Sequence, residues 1–153
     1  MSIALEEASK AAAIDEVPIG AVIVHSVTGE IAARAHNRTI TLSDPTAHAE
    51  ILAIRDVCAQ AGAQRIPEYD LYVTLEPCAM CAAAISFARI RRVVFGAADP
   101  KGGGILHGGK FFEQPTCHHK PIVTHCAMAE ECGQVLKDFF KGKRSQRLSR
   151  IKV

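Results

Sequence analysis

The chain has 153 residues, of which 48% are hydrophobic and 22% are charged, and these values favour one globular domain and exclude a disordered chain. No apolar run approaches the ~20 residues of a membrane-spanning helix, and the acidic, amphipathic N-terminus does not have the pattern of a signal peptide. We therefore expect a cytoplasmic protein without a membrane partner. In that compartment the six cysteines are expected to be metal ligands, catalytic groups or apolar fillers rather than disulfides.

The net charge of +2 is unevenly distributed. Residues 141–153 contain six of the 18 Lys and Arg residues and no acidic residue, whereas the rest of the chain has 12 basic and 16 acidic residues. A basic segment on an acidic body indicates a polyanionic partner, of which nucleic acid is the first candidate. A solvated terminus without a partner is the alternative.

Hydrophobic periodicity predicts alternating helices and strands. In chain order we predict a helix at 3–13, a hairpin of strands at 20–27 and 31–35, a loop at 36–47, a helix at 47–62, a strand at 70–75, a helix at 78–88, a strand at 91–96, a Gly-rich loop at 99–110, a fifth candidate strand at 121–125 and a helix at 128–140. This order indicates an α/β layered fold whose sheet has mixed strand directions.

Cys78 and Cys81 lie in the first turn of the helix predicted at 78–88. Because three residues make nearly one helical turn, both thiols share a face. The exposed N–H groups and the positive end of the helix dipole favour thiolates there. This arrangement suits a metal ion, and it suits a thioredoxin-like redox pair equally well.

His48 stands at the start of another predicted helix, and no second CxxC motif is present to complete a four-cysteine site. One imidazole and two thiolates leave the fourth position of a tetrahedral zinc ion open, which is typical of catalytic zinc. Glu50 would reach the same site only if His48 lies at the very beginning of its helix, because residues two apart in a helix point ~200° apart. Alone, His48 could equally be a core histidine and Glu50 a partner of the helix dipole.

Residues 48–50, His-Ala-Glu, and 77–81, Pro-Cys-Ala-Met-Cys, match the H-x-E…P-C-x-x-C signature of zinc deaminases. More closely, nearly the whole chain resembles the bacterial tRNA-specific adenosine deaminases. The segments that carry this resemblance are EVPIGAVIV (16–24), HNRT (36–39), TAHAEI (46–51), LYVTLEPCAMCAAAI (71–85), ADPKGG (98–103) and EECGQVLKDFF, which ends at Phe140.

The resemblance implies a three-layer α/β/α cytidine-deaminase-like fold, with a mixed five-stranded sheet and helices on both faces. It also implies a single zinc-dependent deaminase domain at 1–153, with a basic C-terminal helix or tail at about 128–153. The implied reaction is the hydrolytic deamination of the wobble adenosine of tRNA anticodons to inosine, by a homodimer with one Zn²⁺ per chain.

The resemblance also implies roles for individual residues. The metal ligands would be His48, Cys78 and Cys81, and Glu50 would carry protons to the base and to the leaving ammonia. The substrate-binding residues would be Asn37, Ala49, Pro77, Asp99 and Lys101. The candidate RNA contacts are Phe139, Phe140, Lys141, Lys143 and Arg144, and we expect at least one of the two phenylalanines to pack in the core instead.

Three other functions are compatible with parts of the sequence. A deaminase of the same superfamily could act on a free base or nucleoside of the guanine or cytosine type, although the basic tail and ADPKGG argue against it. A non-catalytic nucleic-acid-binding module with a structural zinc would have no use for Glu50. A thiol oxidoreductase that used Cys78 and Cys81 would not need His48.

A second set of metal-capable residues follows the Gly-rich loop, and we refer to it as the second cluster: Cys117, His118, His119, His125, Cys126 and Cys132. The spacing matches no standard zinc ligand set. We therefore expect packing at strand ends, RNA contact or inert cysteines rather than a second zinc ion.

Overall fold

The computed structural model describes the backbone of residues 1–151 and the side chains of residues 1–147, so residues 152 and 153 of the predicted basic tail lie outside the described residues. The described chain forms a five-stranded sheet from β1 (Gly20–His25), β2 (Ile31–His36), β3 (Tyr69–Leu75), β4 (Arg92–Ala97) and β5 (Ile122–Thr124). The strand order is β2-β1-β3-β4-β5. All five predicted strands are thus confirmed.

The sheet has mixed strand directions, as predicted. β1 pairs antiparallel with both β2 and β3, whereas β3 pairs parallel with β4, and β4 with β5. The central strands β1, β3 and β4 are largely buried, in keeping with their β-branched and apolar residues, and the edge strands β2 and β5 are more exposed.

Four helices cover the two faces of the sheet: α1 (Ser2–Ala13), α2 (Ala49–Ala61), α3 (Ala79–Phe87) and α4 (Ala129–Ile151). α1 and α4 contact each other and pack on one face, while α2 and α3 contact each other on the opposite face, where the main core lies. The predicted three-layer α/β/α arrangement, with a mixed five-stranded sheet and helices on both faces, is confirmed.

Close packing explains two glycines on the α1 and α4 face. A Cβ at Gly20 would overlap the carbonyl oxygen of Ala4 in α1, and a Cβ at Gly96 would overlap the sulfur of Cys132 in α4. The absence of side chains on β1 and β4 at these points therefore allows both helices to approach the sheet closely.

Two helical segments differ from the prediction. α4 does not end at Phe140 but continues through the basic segment to Ile151. Lys, Arg, Gln and Leu all favour helices, and no proline interrupts residues 141–151. The Gly-rich loop also contains an unpredicted 3₁₀ turn, Phe111–Glu113. None of the helices in the described part of the chain has the length and apolarity needed to cross a membrane.

Candidate active site

α2 and α3 begin side by side, and their first residues form a cluster of potential metal ligands. His48 is the N-cap of α2, Cys78 is the N-cap of α3, and Cys81 follows in the first turn of α3. The Nδ1 atom of His48 lies 3.7 Å from the sulfur of Cys78 and 3.6 Å from that of Cys81. One potential ligand atom from each residue lies within 4.8 Å of the other two.

The loop before α2 sets the direction of His48. Oδ1 of Asp44 accepts hydrogen bonds from the backbone N–H and the hydroxyl of Thr46, at 2.8 and 2.7 Å. The N–H of His48 donates to the carbonyl oxygen of Thr46 at 2.7 Å, and the backbone of His48 is extended, with φ −72° and ψ 151°. Because His48 precedes the regular helix, its side chain and that of Glu50 can lie near the same site.

Glu50 is buried, with 3% of its surface exposed. Within the described part of the chain, its Oε2 atom has no hydrogen-bond partner. Burial raises the pKa of Glu50, and the neighbouring Cys78 adds to this rise. A buried carboxylate oxygen without a partner is costly unless a bound group uses it, so Glu50 indicates a ligand or water position at this site.

The two thiols differ in their proton affinity. Hydrogen bonding from Cys81, together with His48 nearby, lowers the pKa of Cys78 to about 4. The hydrogen bond with Cys78, together with burial, raises the pKa of Cys81. Cys78 is therefore poised as a thiolate, and a metal ion that binds here would release the proton of the second thiol. One imidazole and two thiols are a donor set that fits zinc with an open position.

A cavity of about 540 Å³ opens at His48. Asn37 lines it and is itself almost completely buried. Oδ1 of Asn37 accepts a hydrogen bond from the N–H of Ala49 at 3.2 Å. This bond fixes the orientation of the side-chain amide, whose NH₂ group remains as a donor.

The other predicted substrate-binding residues occupy different places. Asp99 lines the cavity, whereas Ala49 and Pro77 are not part of its lining. Ala49 orients Asn37, and the carbonyl oxygen of Pro77 accepts a hydrogen bond from the N–H of Gly104 at 2.8 Å. Ala49 and Pro77 therefore do not face the cavity, and they contact residues that form or adjoin its wall.

A groove of about 500 Å³ adjoins the cavity along α4. It is lined by Lys101, Leu136, Lys137, Phe140 and Arg144. Leu136, Lys137 and Phe140 also line the cavity. The structure thus brings the predicted substrate-binding residue Lys101 and the predicted RNA contacts Phe140 and Arg144 to one surface. Lys137 was missed by the sequence prediction, although it lies one helical turn before Phe140 and two before Arg144.

The remaining predicted RNA contacts lie elsewhere. Lys143 forms an ion pair with Asp15 at the end of α1, and its ammonium group lies 5.4 Å from the centre of the Phe139 ring. Lys141 is exposed. Phe139 and Lys143 line a separate depression on the α1 side of α4, away from the cavity. The expectation that at least one of the two phenylalanines packs in the core is wrong, since Phe139 is only half-buried and Phe140 is exposed.

The second cluster does not assemble into a metal site among the described residues, where the group at His48, Cys78 and Cys81 is the one that could hold an ion. The thiol of Cys117 donates to the carbonyl oxygen of His119 at 3.1 Å, and Nε2 of His119 lies 2.7 Å from the carbonyl oxygen of Ile90. Cys132 is buried between α4 and the sheet. These side chains are therefore used in local packing.

Two further buried carboxylates lie beside the cavity and had no assigned role in the sequence prediction. Glu16 follows α1 and Glu76 follows β3. Burial alone would raise the pKa of Glu76, but hydrogen bonds from the Asp99 N–H, from the ring and N–H of His107 and from the Leu106 N–H outweigh it and lower the pKa to about 2. Glu76 is therefore ionised at neutral pH.

Comparison with known proteins identifies the class of protein that the fold and the site define. Residues 1–97 match the family described as the cytidine and deoxycytidylate deaminase zinc-binding region. A solved structure of a guanine deaminase from Nitrosomonas europaea shares the fold, with a TM-score of 0.79 at 20% identity over 90% of this chain and 81% of that chain.

More similar proteins narrow the family. The chain is 56% identical to the tRNA-specific adenosine deaminase of Agrobacterium fabrum, over 94% of this chain and 93% of that protein. A solved structure from a study of A-to-I editing by tRNA:A34 deaminases at the wobble position of transfer RNA has a TM-score of 0.86 and 57% identity, over 89% of this chain and 97% of that chain. The chain belongs to the tRNA-specific adenosine deaminase family, which confirms the resemblance noted in the sequence.

Proposed function

We propose that this chain deaminates adenosine to inosine at the wobble position of tRNA anticodons. Glu50 carries the proposal, because its carboxylate is buried, has an oxygen without a partner among the described residues, and lies beside His48, Cys78 and Cys81. His48 in turn lines a cavity that adjoins the basic helix α4. The family to which the chain belongs supports the same substrate and reaction.

His48, Cys78 and Cys81 would hold one Zn²⁺ per chain, and zinc bound in this way supplies an activated water for attack on the base. Glu50 accepts a proton from the attacking water at its free Oε2 atom and transfers it to N1 of the adenine ring. The same carboxylate then takes the proton of the new hydroxyl group on C6 and passes it to the departing amine, which leaves as ammonia. Burial keeps bulk water away from Glu50 during these transfers.

The cavity suits one flipped nucleoside, since binding sites for small molecules commonly measure ~300–1,000 Å³. Asn37 donates its amide NH₂ to an acceptor on the base, in the orientation that Ala49 fixes. Asp99 lies at the cavity wall, near the ribose or the next nucleotide, and Ala49 and Pro77 hold the wall behind the base. An unpaired anticodon loop provides such a nucleotide more readily than a duplex does.

The groove along α4 would receive the nucleotides that flank the target base. Phe140 is 44% exposed and offers a ring on which a base can stack. Lys101, Lys137 and Arg144 offer positive charge to the phosphates. Lys141 extends this charge along the helix, whereas Phe139 and Lys143 contribute less because they are engaged at the end of α1.

We also propose that residues 1–153 work as one zinc-dependent deaminase domain, in the cytoplasm and as a homodimer. The substrate class supports the cytoplasmic location. The exposed ring of Phe87 at the end of α3, with 70% of its surface accessible, supports a partner surface on that side of the molecule.

An inosine assay tests the proposed function. The substrate is an anticodon stem-loop RNA with adenosine at the wobble position, and the control RNA carries that adenosine one position further along the loop. Free adenosine, guanine and cytidine are tested alongside. Inosine in the first RNA alone supports the proposal. Turnover of a free base or nucleoside, with both RNAs unchanged, assigns the chain to the small-molecule deaminases instead.

A further inference from the structure

We propose that Glu16 and Glu76 are positioning residues that hold the two opposite walls of the substrate cavity in place. Neither carboxylate lines the cavity. Each carboxylate is buried behind a loop that contributes residues to the cavity wall, and each accepts hydrogen bonds from that loop. The inference rests on the proposed function for the identity of the substrate, and on the hydrogen bonds for the rest.

Glu76 binds the loop at residues 99–107 at both of its ends. Its Oε1 atom accepts hydrogen bonds from three consecutive backbone N–H groups, those of Ile105, Leu106 and His107, at 3.2, 2.8 and 3.0 Å. Its Oε2 atom accepts one from the N–H of Asp99 at 2.9 Å and lies 2.7 Å from Nδ1 of His107. A single buried carboxylate thus fixes the residues that begin and end the loop.

Two glycines allow this loop to lie directly on Glu76 and on the start of α3. A Cβ at Gly103 would overlap the Glu76 carboxylate, and a Cβ at Gly104 would overlap the backbone of Ala79. The N–H of Gly104 also donates to Pro77. The glycine pair of the ADPKGG segment therefore places the loop, with Asp99 at the cavity and Lys101 at the groove, against the helix that carries Cys78.

Glu16 binds the opposite wall in a similar way. It is completely buried. Its Oε1 atom accepts a hydrogen bond from the N–H of Thr41 at 2.7 Å, and its Oε2 atom accepts one from the hydroxyl of Thr39 at 3.3 Å. Thr39 lines the cavity together with Asn37, so this carboxylate fixes the segment that follows the proposed base-reading residue.

Glu7 shows what a buried carboxylate with a purely structural role looks like in the same molecule. It is also almost completely buried, but its partners are side chains: Lys10 in the same helix, and Arg34 and His36 in β2. These contacts join α1 to β2. None of these four residues lines the cavity. Glu16 and Glu76 instead accept hydrogen bonds mainly from loop backbone groups, and carboxylate acceptors make such bonds stronger.

The test compares Glu76→Gln and Glu16→Gln with the matched control Glu7→Gln. A glutamine places an NH₂ donor where the loops already present N–H donors, so the loop loses part of its anchor while the side-chain volume is kept. We expect KM for the stem-loop RNA to rise about tenfold in Glu76→Gln and about threefold in Glu16→Gln, with kcat within about twofold and zinc content unchanged. Glu7→Gln should lower Tm and leave KM as in the wild type.

A second pair of variants covers the case in which Glu76→Gln does not fold. His107→Leu removes one donor to Glu76, and His107→Asn restores an N–H donor at a similar place. We expect a higher KM for the leucine variant and a KM close to the wild-type value for the asparagine variant. A KM unchanged in His107→Leu, or a loss of kcat at constant KM in Glu76→Gln, overturns the inference.

Hydrogen exchange separates this inference from the proposed function, because it needs no substrate. In Glu76→Gln the amides of Ile105, Leu106 and His107 should lose protection against exchange. In Glu16→Gln the amide of Thr41 should lose protection. Exchange of the amides in the sheet should stay unchanged in both variants. Wild-type protein that makes no inosine contradicts the proposed function alone. Protection retained at these amides contradicts the positioning role, whatever the substrate is.

Discussion

Two regions of this protein are rich in cysteine and histidine, and one of them forms a site. At the starts of α2 and α3, His48, Cys78 and Cys81 place their ligand atoms within 4.8 Å of one another. In the second cluster, Cys117 and His119 bind nearby carbonyl oxygens instead. In this protein the candidate metal site therefore lies where two helices begin side by side, and the number of ligand-type residues alone does not predict it.

The first region is assembled by elements that are far apart in sequence. Two helices begin at neighbouring points, and each presents its N-cap residue and first turn to the other. Most of the second cluster lies in loops beside a short edge strand, where Cys117, His119 and His125 each have a hydrogen-bond partner nearby. A site of the first kind leaves side chains available for a ligand, as the unpartnered oxygen of Glu50 illustrates.

The largest expected effect is the loss of metal from the first region alone. Cys78→Ser removes a thiolate ligand, so zinc content should fall from one per chain to nearly none, and inosine formation should fall by more than about 10³-fold. The matched control, Cys117→Ser, should keep both. Elemental analysis of the purified variants measures the metal, and a loss of zinc from Cys117→Ser would contradict the contrast between the two regions.

Removal of the proposed proton carrier, Glu50, should affect the chemical step without affecting metal binding. Glu50→Gln keeps the shape of the side chain but cannot carry a proton, so we expect kcat to fall about 10³-fold with zinc content unchanged, in keeping with the size of general acid–base effects. Single-turnover measurements on the stem-loop RNA follow the chemical step. Near-normal turnover in this variant would show that another group carries the proton.

The contribution of Glu16 to the stability of the fold should depend on pH. Burial raises the pKa of Glu16, but the hydrogen bonds from Thr41, Thr39 and Ile40 outweigh it, and the net shift is downward from the ordinary value of 4.5. A lowered pKa in the folded state means that the ionised carboxylate stabilises the fold at pH above 4.5 and that this contribution is lost as the pH falls further. Wild type should therefore exceed Glu16→Gln by about 2 kcal/mol in the free energy of unfolding at neutral pH.

Denaturant unfolding at several pH values measures this difference between wild type and Glu16→Gln. The gap should narrow steadily below pH 4.5, because the glutamine does not titrate. A gap of the same size at neutral and at strongly acidic pH would show that the carboxylate charge is not what stabilises this loop.

The two sides of α4 should differ in their contribution to RNA binding. Arg144 lines the groove, whereas Lys143 is paired with Asp15. Arg144→Ala should weaken binding of the stem-loop about fivefold and reduce the slope of log K against log salt by about one. Lys143→Ala is the matched control and should change both less. Equal slopes for the two variants would argue against the groove as the RNA surface.

The smallest expected effect is in the second cluster. His119→Ala removes a hydrogen bond to Ile90, so we expect a loss of about 1 kcal/mol in the free energy of unfolding, with unchanged zinc content and unchanged turnover. Thermal unfolding and the inosine assay measure the two properties. Reduced zinc in this variant would show that the second cluster takes part in metal binding after all.

The sequence by itself determined much of the fold and the composition of the site. Apolar periodicity predicted all five strands and the order of the helices, because the spacing of apolar residues along a segment reflects whether that segment buries one face as a helix or as a strand. The spacing of Cys78 and Cys81, and the place of His48 at a helix start, could be read in the same way, and the superfamily signature linked these segments.

Only the tertiary structure decided how these parts are supported and which basic side chains share the groove beside the cavity. The apolar pattern of α4 ends near Phe140, so its continuation to Ile151 and the place of Lys137 in the groove were not predictable from that pattern. Phe139 and Phe140 line different depressions, and this difference depends on the neighbours that the fold places beside each ring. Glu16 and Glu76 belong to segments that carry the family resemblance, but their hydrogen bonds were not predictable from the sequence, because their partners lie about 25 to 30 positions away and are mostly backbone groups, which every residue possesses.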